Sequence, residues 1–132
     1  MTDRAVVDTS VFIAAESGRP LDTTNFPAEL ALSVVTLAEL RAGVLAARDT
    51  ATRAVRLATL ESVAAFELLP IDDRAATVWA QMRVKLVETG RRLNVNDLWI
   101  AATAASRGLA VVTHHDGFDA VEGMVGLVVV RV

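Results

Sequence analysis

The stretch Ala5-Val6-Val7-Asp8-Thr9-Ser10 is an apolar run that ends on an aspartate. Being wholly apolar rather than alternating, Ala5 to Asp8 predicts a short strand buried on both faces. A carboxylate at the C-terminal end of such a strand stands where open α/β sheets keep their sites. Outward from it, Ser10 to Ala15 reads as a short helix. The polar segment Glu16 to Pro27, with Gly18, Pro20 and Pro27, reads as a loop or irregular helix. Leu30 to Val35 fits a second strand, and Thr36 opens a helix to about Ala47 with Leu37, Leu40, Val44 and Leu45 on one face. Asp49 or Thr50 caps a further helix, and Glu67 to Ile71 is a third strand. Asp72 caps a long helix through Val78, Trp79, Met82, Leu86 and Val87, which Gly90 closes. An alanine-rich helix starts at Asn96 or Asp97 and stops at Gly108. Leu109 to Thr113 and Leu127 to Val130 supply two last strands. Helices alternating with short apolar strands predict an α/β domain with a central, mainly parallel sheet of four to five strands, covered on both faces.

The 132 residues favour one domain spanning 1–132, and an apolar fraction of 53% allows a well-buried core. No apolar run approaches the roughly 18 to 20 residues that span a bilayer. Met1-Thr2-Asp3-Arg4 leads straight into a strand without a cleavable-signal pattern, so a cytoplasmic protein with no membrane attachment is expected. The absence of cysteine excludes disulfides and thiolate metal sites. A net charge of −3 argues against strong nonspecific binding to a polyanion. The basic residues are nevertheless arginine throughout except for Lys85, and they cluster at Arg41, Arg48, Arg53 and Arg56 and again at Arg83, Arg91 and Arg92. Arginine forks suit phosphate; solvated helix faces are the plainer reading of each cluster.

Two further acids share the odd setting of Asp8. Glu39 lies in Val34-Val35-Thr36-Leu37-Ala38-Glu39-Leu40, and Asp97 in Asn96-Asp97-Leu98-Trp99-Ile100-Ala101-Ala102. Each has a local alternative. Asp8 can cap the helix after its strand, Thr36 and Glu39 have capping-box spacing, and Asp97 suits a helix start. Yet Asp97 heads a stripe with Ile100, Ala101 and Ala104 that should face the sheet. At 5 Å and an effective dielectric near 20, each like-charged pair opposes folding by about 3 kcal/mol. If the three converge, a cation or protons must offset that repulsion. Hard oxygen donors without cysteine favour Mg²⁺ or Mn²⁺ over zinc. An ion held this way can bind a phosphodiester oxygen and activate water, so no protein nucleophile is needed. Ser10 and Thr9 are candidates to orient that water.

These residues resemble a known family. Val6-Val7-Asp8-Thr9-Ser10, Thr36-Leu37-Ala38-Glu39-Leu40-Arg41-Ala42-Gly43 and Asn96-Asp97-Leu98-Trp99-Ile100-Ala101-Ala102-Thr103-Ala104 are similar to three motifs of PIN-domain nucleases, and most similar to the VapC-type toxins of toxin–antitoxin pairs. The resemblance runs from Val6 to the final strand. It implies a three-layer α/β/α domain and a Mg²⁺- or Mn²⁺-dependent endoribonuclease, commonly dimeric. It also implies a cognate VapB-like antitoxin that inhibits by occupying the acidic site, and an RNA substrate. Asp8, Glu39 and Asp97 carry over as metal ligands, and Ser10 as the small polar residue after the first acid. A fourth acid is expected in a stretch resembling T-x-D-x-D-F. Here it reads Thr113-His114-His115-Asp116-Gly117-Phe118, so His115 and Gly117 stand where acids are expected. Asp116 is then the candidate fourth acid, through a one-residue shift of the loop. The adjacent His114 and His115 should point apart, and an exposed loop histidine is the plainer reading of either.

Two other classes are open to these residues. A catalytically silent module of the same fold would keep the architecture and bind a protein, with Trp99 as an interface anchor or a simple core residue. An aspartyl phosphoacceptor domain needs a lysine at a strand end, and Lys85 lies mid-helix.

Overall fold

The computed structural model describes residues 3–132; Met1 and Thr2, the start of the segment expected to lead into the first strand, lie outside the described residues. Five strands and five α-helices make up the fold among the described residues. In chain order they are β1 (Arg4–Val7), α1 (Thr9–Glu16), β2 (Glu29–Ser33), α2 (Val34–Ala46), α3 (Thr50–Ser62), β3 (Glu67–Leu69), α4 (Asp73–Thr89), α5 (Val95–Ser106), β4 (Ala110–Thr113) and β5 (Val129–Arg131). The strands form one sheet in the order β3-β2-β1-β4-β5, and every pairing is parallel. Strand order therefore reverses at β1: the chain first builds outward through β2 and β3, then returns to the other side with β4. The crevice beyond the carboxyl ends of β1 and β4 is the place where such sheets bind ligands.

The apolar run of β1 alternates its faces as a strand must. Val6, with Val111 of β4, packs under α4 and α5 among Met82, Leu98, Ile100 and Ala101. Ala5 and Val7, with Ala110 and Val112, pack on the opposite face against Val11 of α1. A third cluster of Leu32, Leu40 and Val63 fixes α2 and α3 beyond them. The result is the expected three-layer α/β/α arrangement. Alanines 101, 102 and 104 of α5 are fully buried, which lets that helix lie close to the sheet. Trp99 stacks on Trp79 of α4 with ring centroids 4.9 Å apart, so it belongs to the packing of α5 on α4.

Helices α1, α2 and α5 begin earlier than their sequence suggests, and the shifts of α2 and α5 matter for the site. Helix α2 opens at Val34, capped by Ser33, whose hydroxyl accepts from Val35 N at 3.1 Å; Thr36 lies inside the helix and caps nothing. Helix α5 opens at Val95, capped by Asn94, whose side-chain oxygen accepts from Asn96 N at 2.9 Å. The orphan amides at both helix starts thus have partners other than Glu39 and Asp97, and those two carboxylates are left for other use. Leu45 also departs from expectation. It is 82% exposed, turned away from the face that Leu40 buries.

Candidate active site

Asp8 follows the last residue of β1, and its backbone N–H donates to Val112 O of β4 at 2.8 Å, which anchors the strand end at the switch of sheet order. Its side chain is 1% exposed. It caps α1, as one reading of the sequence expected, accepting from Ser10 N at 3.4 Å. It also accepts from the Ser10 hydroxyl at 2.6 Å and from the Thr113 hydroxyl at 3.0 Å. All of these bonds end on Oδ2. Among the described residues no protein donor reaches Oδ1, so one oxygen of this buried carboxylate is anchored and the other is left open.

Asp97 stands in the first turn of α5, above the fully buried Ile100, Ala101 and Ala104 that share its stripe. Its carboxyl is pushed up from the ordinary 3.8 to about 6, first by burial and then by the negative charge of Asp8, with Glu39 adding to it and His115 opposing. Asp8, Asp97 and His115 each offer a ligand atom within 4.8 Å of the other two. Of the three acids expected to converge, Asp8 and Asp97 come together here, with His115 rather than Glu39 as the third member of the tight group.

Glu39 lies outside that tight group but its charge is felt at Asp97. On α2, its Oε1 accepts from the Thr9 hydroxyl at 2.7 Å and its Oε2 from Asn96 Nδ2 at 3.4 Å, so it is tied to the first turns of both α1 and α5. Beside it, Thr9, Ile13, Glu16, Glu39, Gly43 and Arg56 line a groove of about 360 Å³. Arg56 is held there by a 2.7 Å bond from Nη1 to Gly43 O.

The remaining candidates separate. The Ser10 hydroxyl gives its proton to Asp8 and accepts from His114 N at 2.9 Å, so it serves the carboxylate rather than standing free. Asp116 is exposed and lies outside the cluster; its side chain caps nothing. The histidines do point apart, but only one of them leaves the site. His114 Nδ1 meets Val132 O at 2.8 Å. His115, expected to be an exposed loop residue, keeps 39% of its side chain exposed but turns its Nε2 inward, 3.2 Å from Asp8 Oδ2 and 3.9 Å from Asp97 Oδ2. Sequence reading passed over Thr113 and Asn96 as well. The polar residue closing an otherwise apolar β4 was the available signal for Thr113.

The donor set fits a hard divalent cation. Two carboxylates face each other at a strand end, a third is close, one Asp8 oxygen is free of protein donors among the described residues, and burial together with the neighbouring negative charge already raises one acid.

In sequence and fold the chain is similar to known proteins. Residues 5–124 match the PIN domain. Ribonuclease VapC5 of Mycobacterium tuberculosis is 60% identical over 96% of this chain and 94% of its own length. Ribonuclease VapC4 of the same organism is 43% identical over 89% of this chain and 90% of its own. Among solved structures, that of VapBC-5 from Mycobacterium tuberculosis, a member of the VapBC family of toxin–antitoxin systems, superposes with a TM-score of 0.93 at 55% identity, covering 98% of this chain and 99% of the other.

Proposed function

The chain belongs to the PIN-domain family as a VapC-type ribonuclease toxin of a toxin–antitoxin pair, and on that premise we propose that it is an endoribonuclease that hydrolyses RNA with a Mg²⁺ or Mn²⁺ ion held by Asp8, Asp97 and Glu39. The observation that carries this reading is the approach of Asp8, Asp97 and His115 at the carboxyl ends of β1 and β4.

When bound, such an ion lowers the pKa of an attacking water and offsets charge on the phosphodiester. The protein residues divide the remaining work. Asp8 would help to hold the ion, its orientation fixed by the bonds that Ser10 and Thr113 donate to Oδ2. Asp97 would be a second ligand; its carboxyl, raised to about 6, keeps below that pH a proton that an ion would have to displace. Glu39, steadied by Thr9 and Asn96, would join them directly or through water. Ser10 fixes the orientation of Asp8. Arg56 offers a cation in the groove beside Glu39, suited to a phosphate next to the one cleaved.

The substrate is RNA with an exposed single-stranded loop, because bases in a duplex are closed to side chains. The partner is a VapB-like antitoxin that occupies the acidic crevice, and the toxin works as a homodimer in the cytoplasm. No helix among the described residues is long and apolar enough to cross a membrane.

The deciding experiment incubates total RNA with purified protein in Mg²⁺, Mn²⁺ or EDTA and maps the new ends. Cleavage should require the metal and vanish in Asp8→Asn and Asp97→Asn variants that still fold. Undiminished cleavage in EDTA, or by both variants, would overturn the assignment.

A further inference from the structure

His115 and Gly117 occupy the two positions where the resembling stretch carries acids, and the structure joins them. Gly117 N–H donates to His115 Nδ1 at 2.8 Å. A neutral imidazole carries one proton, so a ring that accepts at Nδ1 keeps that proton on Nε2. A protonated nitrogen has no lone pair for a metal ion. Nε2 is the atom that faces Asp8 Oδ2 and Asp97 Oδ2. One further contact and one missing side chain favour this orientation. Phe118 stacks on the imidazole with centroids 5.5 Å apart. A Cβ on Gly117 would lie 2.5 Å from His115 Cε1 and 2.7 Å from Nδ1, so any side chain at 117 would displace the ring.

We propose that His115 is a positioning residue, not an ion ligand: it turns Nε2–H toward Asp8 and Asp97, Gly117 sets that orientation, and the ion is held by oxygen alone. The inference rests on the acidic site being the metal site. It deepens that reading by assigning a role to a histidine that replaces an acid. Its consequence is selectivity. An oxygen-only shell keeps the preference for Mg²⁺ and Mn²⁺, whereas an imidazole ligand would draw the site toward zinc or other late transition metals.

The test has two readouts that do not depend on cleavage. Long-range ¹⁵N–¹H correlation spectra of the full chain, assigned with a His114→Gln variant because the chain has two histidines, should show the His115 proton on Nε2. It should stay there at saturating Mg²⁺. Pulsed EPR of the Mn²⁺-loaded protein should show no ¹⁴N coupling from a coordinated imidazole. A proton on Nδ1, or a strong directly bonded ¹⁴N coupling, overturns the proposal.

Variants add a third readout. His115→Ala and Gly117→Ala should each weaken Mn²⁺ binding by about 10-fold, the lower end for residues that orient metal ligands. The double variant should be no weaker than either single one, because both act through one ring. His115→Gln, which keeps an N–H donor, should bind nearly as wild type and covers the case in which Gly117→Ala fails to fold. Additive losses contradict the shared role. If wild type binds no Mn²⁺ at all, the metal reading of the site falls, and the position of the ring proton still decides how His115 is held.

Discussion

The Thr9 hydroxyl donates a 2.7 Å hydrogen bond to Glu39 across an interval of 30 residues. Thr9 follows Asp8 directly, so the acid on α2 is tied to the backbone that presents the acid of β1. The same hydroxyl meets Thr36 Oγ1 at 3.0 Å in a fully buried contact, which locks α1 to α2 beneath the carboxylates. A hydrogen bond to a charged group contributes roughly 1.5 to 3 kcal/mol, and the lower end applies where the acceptor is partly open to water. Thr9→Val keeps the shape and removes the donor. Urea denaturation should show a loss of about 1 to 2 kcal/mol, and kcat/KM on RNA should fall by roughly tenfold, equivalent to about 1.4 kcal/mol. Thr9→Ser should restore both. Wild-type activity in Thr9→Val would detach Glu39 from the chemistry.

Asp97→Asn should abolish cleavage and yet stabilise the metal-free protein. The Asp97 carboxyl titrates near 6 in the folded chain against an ordinary value of 3.8. Its contribution to stability is therefore complete below about pH 4 and is lost as pH rises through 6, because the unfolded chain gives up the proton first. At pH 7 the ionised group opposes folding by up to about 3 kcal/mol, which asparagine removes. Thermal unfolding at pH 7 in EDTA should place the variant above wild type, with the difference shrinking toward pH 4. A variant less stable than wild type at pH 7 would mean that the folded state does not hold Asp97 at raised pKa.

How far this site could be read from the sequence depended on what each residue reports locally. Asp8 and Asp97 stood out because a charge interrupts an apolar run or heads a buried stripe, and those patterns survive without coordinates. The order of strands was less accessible. Period and length predict parallel strands, but the reversal at β1 that brings Thr113 beside Asp8 is a long-range event. Glu39 was ambiguous because Thr36 has capping spacing; only the observed start of α2 at Val34 frees it. His115 was read as a loop residue because nothing in His114-His115-Asp116-Gly117 shows that the loop folds back. The turn that aims it inward depends on the amide of Gly117 meeting its ring.

Asp116→Ala should leave activity unchanged. The side chain is exposed, outside the cluster, and makes no capping bond to the turn that follows it. A surface substitution of this kind stays within about 0.5 kcal/mol, a factor of about two in rate or affinity. Metal titration and RNA cleavage of the variant should both fall in that range. A loss of a hundredfold would instead mean that the loop moves on binding RNA or metal and brings Asp116 into the site.

Ion binding should be coupled to proton release, with a sign set by Asp97. Below about pH 6 the carboxyl is protonated, and a cation must displace that proton; above it the group is already ionised. Mn²⁺ affinity should therefore rise with pH up to about 6 and level off above. Calorimetry in buffers of different ionisation enthalpy should detect close to one proton released per ion at pH 5 and far less at pH 7.5. Raising the metal concentration should move the acid limb of the cleavage profile to lower pH, since the ion holds Asp97 in its charged form. Asp97→Asn should remove the coupling while leaving whatever weak binding Asp8 and Glu39 retain. Equal proton release in wild type and Asp97→Asn would assign the displaced proton to another group and separate the raised acid from the metal.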